Sequence, residues 1–429
     1  MSALEVGLIG AGTVGGEVAR RLYSGAEELE QRVGCPIRLR RVAVRDGARL
    51  RPGIPADLLT TDVEAVLSDP GVSIVVELAG GEEPARTYLD RALANGKHVV
   101  TANKVVMARH GAELLELARR MDVEIAFEAA VGGGIPVIGT LTNELAANRL
   151  DLLVAIINGT TNSMLTQMAA EGVDFEAALR AAQASGYAEA DPTEDIEAFD
   201  AASKLAIMAS IAFGAQVHPD QVYREGIGGV QAVDFRYARE LGYTIKLIAY
   251  AERRPEGIEV RTHPCMVPLT HPLAHIDGAT NAVLIRGDLV GEVLLRGQGA
   301  GSGPTASAVL GDIIEVGRAI RAGGHARPRY QWQRAPILPM TSVTTRAYVR
   351  CTVSDRPGVL AGIFSVFGEE GVSISSAIQK EVFVGDGAAE FVVTTHRAPD
   401  AALRRTCDRI GGLDSVHRVS SFLRVLSAG

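Results

Sequence analysis

Residues Leu4 to Ile9 form a short apolar run that passes directly into Gly10-Ala11-Gly12-Thr13-Val14-Gly15. The run reads as a buried strand, and Val18, Leu22 and Leu29 then recur at helical spacing. A G-x-G-x-x-G triad acquires meaning from this context of strand, tight turn and helix. Gly10 permits the turn, Gly12 lets the backbone approach a pyrophosphate, and Gly15 lets the helix pack close on the strand. The helix start offers its unpaired N–H groups to phosphates. The front of the chain is therefore expected to be a dinucleotide-binding α/β domain.

The following segments extend that pattern. Leu39–Val44 reads as a second strand and ends at Arg45-Asp46. In this architecture the residue after the second strand meets the adenosine ribose. Aspartate there favours NAD and arginine favours NADP, so the adjacent pair leaves the choice open, leaning slightly to NADP; two solvated loop residues would look the same. Strands at Ile74–Leu78 and His98–Thr101 flank a helix pattern over Pro84–Asn95, and this alternation predicts a parallel, doubly wound sheet. The last of these strands empties into Thr101-Ala102-Asn103-Lys104. Ligands bind at the carboxyl ends of such strands, which puts Thr101 and Lys104 at the cofactor crevice. A lysine opening a helix opposes the dipole, which hints at another reason for it.

At 429 residues the chain exceeds one core and predicts roughly two to four domains. The net charge of −8 argues against nucleic acid as the main partner. No long apolar run predicts a membrane span, and the N-terminus lacks the pattern of a signal peptide. Cys35, Cys265, Cys351 and Cys407 have no metal-type spacing and read as reduced, buried residues of a cytoplasmic protein.

The middle of the chain carries the chemistry-bearing residues. A strand at Glu124–Ala129 leads to Val131-Gly132-Gly133-Gly134-Ile135-Pro136, where three glycines mark close backbone approach to a ligand, an ion or another strand. Leu152–Ile157 reads as a strand ending in Asn158-Gly159-Thr160-Thr161-Asn162, either a substrate-facing turn or a plain one. The densest signal is Gly186-Tyr187-Ala188-Glu189-Ala190-Asp191-Pro192, then Asp195, then Asp200 to Lys204. The pattern becomes helical from Asp195, so Asp200 and Lys204 share a face at i and i+4. That helix continues almost wholly apolar, and charge at its buried start is costly unless paired or functional. A partly desolvated lysine suits proton transfer to or from an alcohol. A solvated acidic loop and a calcium loop are the competing readings.

These segments, with Gly297-Gln298-Gly299-Ala300-Gly301 and Pro304-Thr305, closely resemble the homoserine dehydrogenases in order and spacing, from residue 1 to about 330. The resemblance implies reversible oxidation of L-homoserine to L-aspartate 4-semialdehyde with NAD or NADP. By that likeness Lys204 is the proton donor and acceptor at the substrate oxygen, with Lys104 beside it. Glu189 holds the substrate ammonium, Asp200 adds a hydrogen bond and Asp195 completes the polar cluster, in reach of Gly159, Thr160 and Tyr187. Gly186, Gly301 and Gly303 join the cofactor contacts, and the helix after Pro304 rejoins the nucleotide domain. A structural sodium ion is implied near Glu128, Val131, Gly133 and Ile135. Two departures from the family pattern stand out: Ala198, where glycine is usual, and Ser302-Gly303 after Gly301.

Past a proline-bearing linker at 331–345, strand and helix signals run βαββαβ to the end of the chain. They pass through Ser354-Asp355-Arg356-Pro357-Gly358-Val359. This tail resembles an ACT domain, with its ferredoxin-like fold. The likeness makes Asp355, Pro357, Gly358 and Val359 effector contacts and threonine the effector, with inhibition lost on truncation near residue 340. A module that only assists dimerisation is the alternative. The expected architecture is thus a Rossmann-type domain (1–135 plus about 305–330), an α+β substrate and dimerisation domain (136–304), and an ACT domain (346–429), in a homodimer or homotetramer. Two rival readings remain: another Rossmann hydroxy-acid dehydrogenase with an ACT tail, and a non-catalytic nucleotide and amino-acid sensor.

Overall fold

The computed structural model describes residues 3–325, 332–384 and 387–426. Residues 326–330 of the expected return segment, residue 331 of the expected linker, and 1–2 and 427–429 at the expected domain ends lie outside them. The chain divides into two compact units. One comprises residues 1–153, 203–222 and 281–335, and the other 154–202, 223–280 and 336–429.

The first unit is built on β1 (Leu4–Ile9), α1 (Thr13–Ser24), α2 (Ala26–Val33), β2 (Ile37–Ala43), β3 (Leu59–Thr60), α3 (Glu64–Leu67), β4 (Ile74–Glu77), α4 (Ala85–Ala94), β5 (His98–Thr101), α5 (Lys104–Met121) and β6 (Ile125–Ala126). The strands pair in parallel in the order β3-β2-β1-β4-β5-β6. Chain order reverses between β1 and β4, and in open parallel sheets ligands bind outside the strand ends at such a switch point. Strands buried on both faces need near-continuous apolar runs; all four residues of β4 are buried, the last being Glu77. The helix Ser302–Ala322 returns to this unit, packing Ala306, Val309, Ile313 and Val316 into one core with Val6, Leu8, Val18 and Val42.

Two sequence expectations need correction here. The helical spacing through Leu29 spans two helices, because Gly25 leaves helical dihedrals (φ −110°, ψ 19°). The strand expected at Glu124–Ala129 shrinks to β6, because Glu128–Ala130 coils into a 3-10 turn.

In the second unit, Tyr243–Arg254 and Gly257–Pro268 form a long antiparallel pair. The tail folds as strand Thr344–Ser354, helix Val359–Glu369, strands Ile374–Val384 and Ala388–Thr395, helix Asp400–Gly411 and strand Val416–Val425. Both helices pack Ile363, Val366, Phe367, Leu403, Cys407 and Ile410 against Val349, Cys351, Val353, Phe391 and Val393 in a single core. Val416–Val425 also pairs in parallel with Gly257–Pro268, at Cys265 with Arg424 and Met266 with Val425.

Two ionic clusters, each centred on a buried arginine, reinforce this junction. Arg350 donates to Asp234 at 2.8 Å and to Glu390 at 3.1 Å, and Asp234 is wholly buried. Arg424 donates to Asp400 at 2.7 Å and to Glu225 at 2.8 Å. Burial raises the Glu225 carboxyl, but the guanidinium of Arg424, aided by Arg404, outweighs it and holds the group below the usual carboxylate range. The four cysteines are buried and unbridged, and burial pushes Cys265, Cys351 and Cys407 up to about 12.

Candidate functional site

The glycine turn between β1 and α1 leaves no room for side chains at its base. A Cβ on Gly15 would stand 1.9 Å from the Gly10 carbonyl oxygen, while one on Gly12 meets nothing within 4 Å. Close packing is thus needed at the base of the turn, and open space lies over Gly12. Helix α1 has no side-chain cap and no acid in its first turn, so its amide groups and dipole favour an anion.

A cavity of about 430 Å³ lies beside this turn, lined by Gly10, Ala11 and Gly12, by Arg45 and Asp46 after β2, and by Arg49 and Arg51. The Asp46 carboxylate folds back to accept from the Ala48 N–H at 2.9 Å. Arg51 braces the loop by donating to the Asp46 and Arg49 carbonyls at 2.9 and 2.8 Å. Arg49 and Arg51 went unrecognised in the sequence, because their register beyond β2 depends on a loop conformation that periodicity does not encode.

A second cavity of about 340 Å³ shares Leu78 and Gly80 with the first. Its lining includes Val14, Glu77, Asn103, Lys104, Gly133 and Lys204. Both lysines are half-buried. The start of α5 is set by Asn103, whose side chain accepts from the Val106 N–H at 3.1 Å and donates to the Gly81 carbonyl at 2.7 Å. Thr101 donates to the buried Glu77 carboxylate at 2.8 Å, and the Ala79 N–H donates to the other oxygen at the same distance. Glu77 was missed in the sequence; its only signal was a charge closing an otherwise apolar strand.

Across this cavity the Gly132–Gly134 turn meets the second glycine segment, with the Gly134 N–H donating to the Gln298 carbonyl at 3.0 Å. Ser302, the first helical residue after Gly301, donates to the Thr13 carbonyl at 2.9 Å. Gly303 lies one residue further along, and a Cβ there would meet nothing within 4 Å. Glu128 is buried, and its two carboxylate oxygens accept from the Ile138 and Gly139 N–H groups, each at 2.7 Å. No group of three or more His, Cys, Asp or Glu side chains among the described residues has metal-holding geometry. A cation near Val131, Gly133 and Ile135 would therefore rest chiefly on backbone oxygens, donors that suit a hard ion.

In the second unit, Asn158 caps the helix Gly159–Glu171. Its side-chain amide donates to Asp195 at 2.6 Å and to Asp200 at 2.9 Å, bringing these two carboxylates together. Thr160 donates to the Tyr187 carbonyl at 2.8 Å. Gly186, Tyr187 and Glu189 are exposed on the turn before this cluster. The helix expected from Asp195 is interrupted: Thr193–Ile196 ends, Ala198 adopts φ 62°, and a new helix runs Phe199–Phe213. Asp200 and Lys204 both fall within the second helix, at i and i+4.

The tail has its own cavity, of about 420 Å³, lined by residues 353–361 and Gln379 and so including Asp355, Pro357, Gly358 and Val359. Gly358 stands at φ 90° and precedes the helix Val359–Glu369.

Comparison with known proteins places these features in one lineage. A family model described as homoserine dehydrogenase matches residues 136–314, one described as the homoserine dehydrogenase NAD binding domain matches 10–128, and one described as the ACT domain matches 347–408. The chain is 44% identical over 433 residues to homoserine dehydrogenase of Mycobacterium tuberculosis, covering 99% of this chain and 98% of that protein. It is 42% identical over 438 residues to that of Synechocystis sp., covering 99% and 100%. The crystal structure of a homoserine dehydrogenase from Thiobacillus denitrificans superposes with a TM-score of 0.94 at 44% identity, covering 100% of this chain and 99% of that one. A hyperthermophilic archaeal homoserine dehydrogenase in complex with NADPH matches 73% of this chain and 98% of its own, with a TM-score of 0.62 at 27% identity.

Proposed function

Because the chain belongs to the homoserine dehydrogenase family, an oxidoreductase family with an NAD-binding domain and here an ACT domain, we propose that it interconverts L-homoserine and L-aspartate 4-semialdehyde with Lys204 as proton donor and acceptor. This step serves the synthesis of threonine, methionine and isoleucine. Family membership selects this reading over a hydroxy-acid dehydrogenase or a non-catalytic sensor. The observation that carries the assignment of Lys204 is the shared cavity: two ammonium groups, Lys104 and Lys204, border the space at the strand ends where a nicotinamide ring belongs.

A nicotinamide held beside Lys104 and Lys204 would supply the acceptor for the hydride of the alcohol carbon, and in reduced form its donor. In the oxidation the Lys204 nitrogen takes the hydroxyl proton as a neutral amine and becomes an ammonium, and in the reduction that ammonium gives the proton to the carbonyl oxygen. Lys104 stabilises the developing alkoxide, since an oriented cation in a partly desolvated site needs no reorganisation as charge develops. At the other end of the substrate, Glu189, Asp195 and Asp200 hold the ammonium group, with Gly159, Thr160 and Tyr187 shaping the pocket. Asn158 supports this role: one amide donating to both Asp195 and Asp200 fixes the spacing of two carboxylates, the charge type that pairs with an ammonium.

The cofactor preference in this reading is NADP. Arg45, Arg49 and Arg51 surround the ribose-side cavity, while the carboxylate of Asp46 is turned to its own backbone. A 2′-phosphate finds guanidinium partners there, and a 2′-hydroxyl finds no acid oriented towards it by Asp46. Gly10 to Gly15, Thr101, Gly186, Gly301 and Gly303 complete the cofactor contacts. Oxygen donors of Glu128, Val131, Gly133 and Ile135 would hold a structural sodium ion. The fit rests on donor chemistry: a buried carboxylate at Glu128 beside the carbonyl oxygens of a glycine-rich turn is an all-oxygen set that suits a hard cation.

The remaining parts of the reading are a cytoplasmic homodimer or homotetramer with threonine as effector at Asp355, Pro357, Gly358 and Val359. Truncation near residue 340 is a poor test of the effector role. It would strip the arginine partners from the buried Asp234 and the half-buried Glu225, and breaking a buried pair such as Asp234 with Arg350 destabilises by about 3–5 kcal/mol. Asp355→Ala is the better probe, with threonine inhibition expected to weaken at least about tenfold. The reaction itself is tested by the absorbance of reduced nicotinamide with homoserine plus NADP or NAD. No reduced cofactor with either would overturn it.

A further inference from the structure

Asp195 and Asp200 flank a turn that is held from outside by one short segment of chain. The Ile227 N–H donates to the Ile196 carbonyl at 2.9 Å. A Cβ on Gly226 would lie 2.4 Å from that same carbonyl oxygen, so only glycine lets the two backbones approach this closely. The Arg224 guanidinium stacks over the Phe199 ring at 3.8 Å from its centroid. Residues 224–227 thus grip residues 196–199, including Ala198 in its left-handed conformation.

The side chain inside the grip points to the tail. Glu225 accepts from Arg424 at 2.8 Å and is paired with Arg404 and the Tyr223 hydroxyl. Arg404 lies on the helix Asp400–Gly411 and Arg424 on the strand Val416–Val425. Arg424 is fully buried and is itself fixed by Asp400. Buried charges in such a chain hold their geometry because moving one leaves another uncompensated.

We infer that Arg224–Ile227 is a strap that positions the Asp195–Asp200 turn for substrate, and that the tail's arginines anchor it through Glu225. Glu225 is a positioning residue: it acts on the carboxylates through the backbone contact at Ile196 rather than by touching substrate. The ACT domain is by this route a structural component of the substrate pocket, whatever it senses. The inference rests on the reading that Asp195 and Asp200 bind the substrate ammonium.

The test is steady-state kinetics on the full-length chain with Glu225→Gln, Gly226→Ala and Asp195→Asn. Glu225→Gln and Gly226→Ala are each expected to raise the KM for homoserine at least about fivefold while the cofactor KM stays within about twofold. Glu225→Asp, which keeps the charge, is expected to recover part of the loss. A merely structural defect would lower the active fraction and leave both KM values alone. If Gly226→Ala does not fold, Arg224→Met releases Phe199 without touching the backbone and reads the same KM. If Asp195→Asn raises the homoserine KM and the strap variants do not, the strap is overturned. If Asp195→Asn also leaves it unchanged, the substrate reading fails and the strap's role falls with it.

Discussion

The Ser302 hydroxyl donates to the Thr13 carbonyl at 2.9 Å, so the second glycine turn is tied to the first across 289 positions of sequence. Ser302 belongs to one of the two departures from the family pattern, and in the proposed reading this bond joins the two glycine turns that contact the cofactor. A hydrogen bond of this kind is worth about 1 kcal/mol net. Ser302→Ala should therefore raise the cofactor KM about fivefold and leave the homoserine KM unchanged. An unchanged cofactor KM would mean that the tether is idle.

The arginines beside β2 make a separate prediction about cofactor choice. Arg45→Ala should lower kcat/KM with NADP by about 10–100-fold, the worth of a charge-assisted hydrogen bond, and alter the value with NAD by less than about threefold. Parallel rate measurements with the two cofactors decide it. Equal losses with both would place Arg45 outside the 2′-phosphate contact.

Ala198 is the second departure, and its backbone explains why glycine is usual there. It is buried with φ 62°, a conformation that costs a residue with a Cβ about 1–2 kcal/mol. Ala198→Gly removes that strain and about one buried methyl's worth of contact, so its stability should stay within about 1 kcal/mol of the parent. Ala198→Val should lose at least about 2 kcal/mol in chemical denaturation, because β-branching is poorly tolerated at positive φ. A harmless valine would contradict the left-handed turn.

His263 makes stability depend on pH in a defined direction. Burial, reinforced by the nearby Arg424 and Arg261 guanidinium groups, lowers its pKa well below 6.5. The unfolded chain takes up a proton near pH 6.5 and the folded one does not. The contribution is therefore fully present above that pH and is lost as pH falls below it. From about pH 6.5 to about pH 5.5 stability should decline by up to about 1 kcal/mol through this group. Denaturation at the two pH values, repeated with His263→Gln, should show the slope shrink in the variant. An unchanged slope would assign it to other groups.

Much of this molecule was legible from local pattern. Leu4–Ile9 and His98–Thr101 fall at the residues their apolar runs predict, because strands covered on both faces must be apolar. The triad at Gly10 marked the tight turn after β1, and the steric need for glycine at Gly15 is visible in its closeness to the Gly10 carbonyl. What was not legible depends on contacts between segments distant in sequence. Nothing local marks Asn158 as the group that joins Asp195 to Asp200, or Glu77 as the acceptor for Thr101. The break at Ala198 was hidden for a different reason: alanine is the best helix former, and the local spacing continues through it while the backbone does not.

The central claim is that the Lys204 amine exchanges a proton with the substrate hydroxyl. The most direct measurement is turnover of Lys204→Ala beside its affinity for the cofactor. The account predicts a fall in kcat of at least about 100-fold, the scale of a lost general acid–base group, with the cofactor Kd within about threefold of the parent. A variant that keeps a tenth or more of the parent's turnover would contradict it.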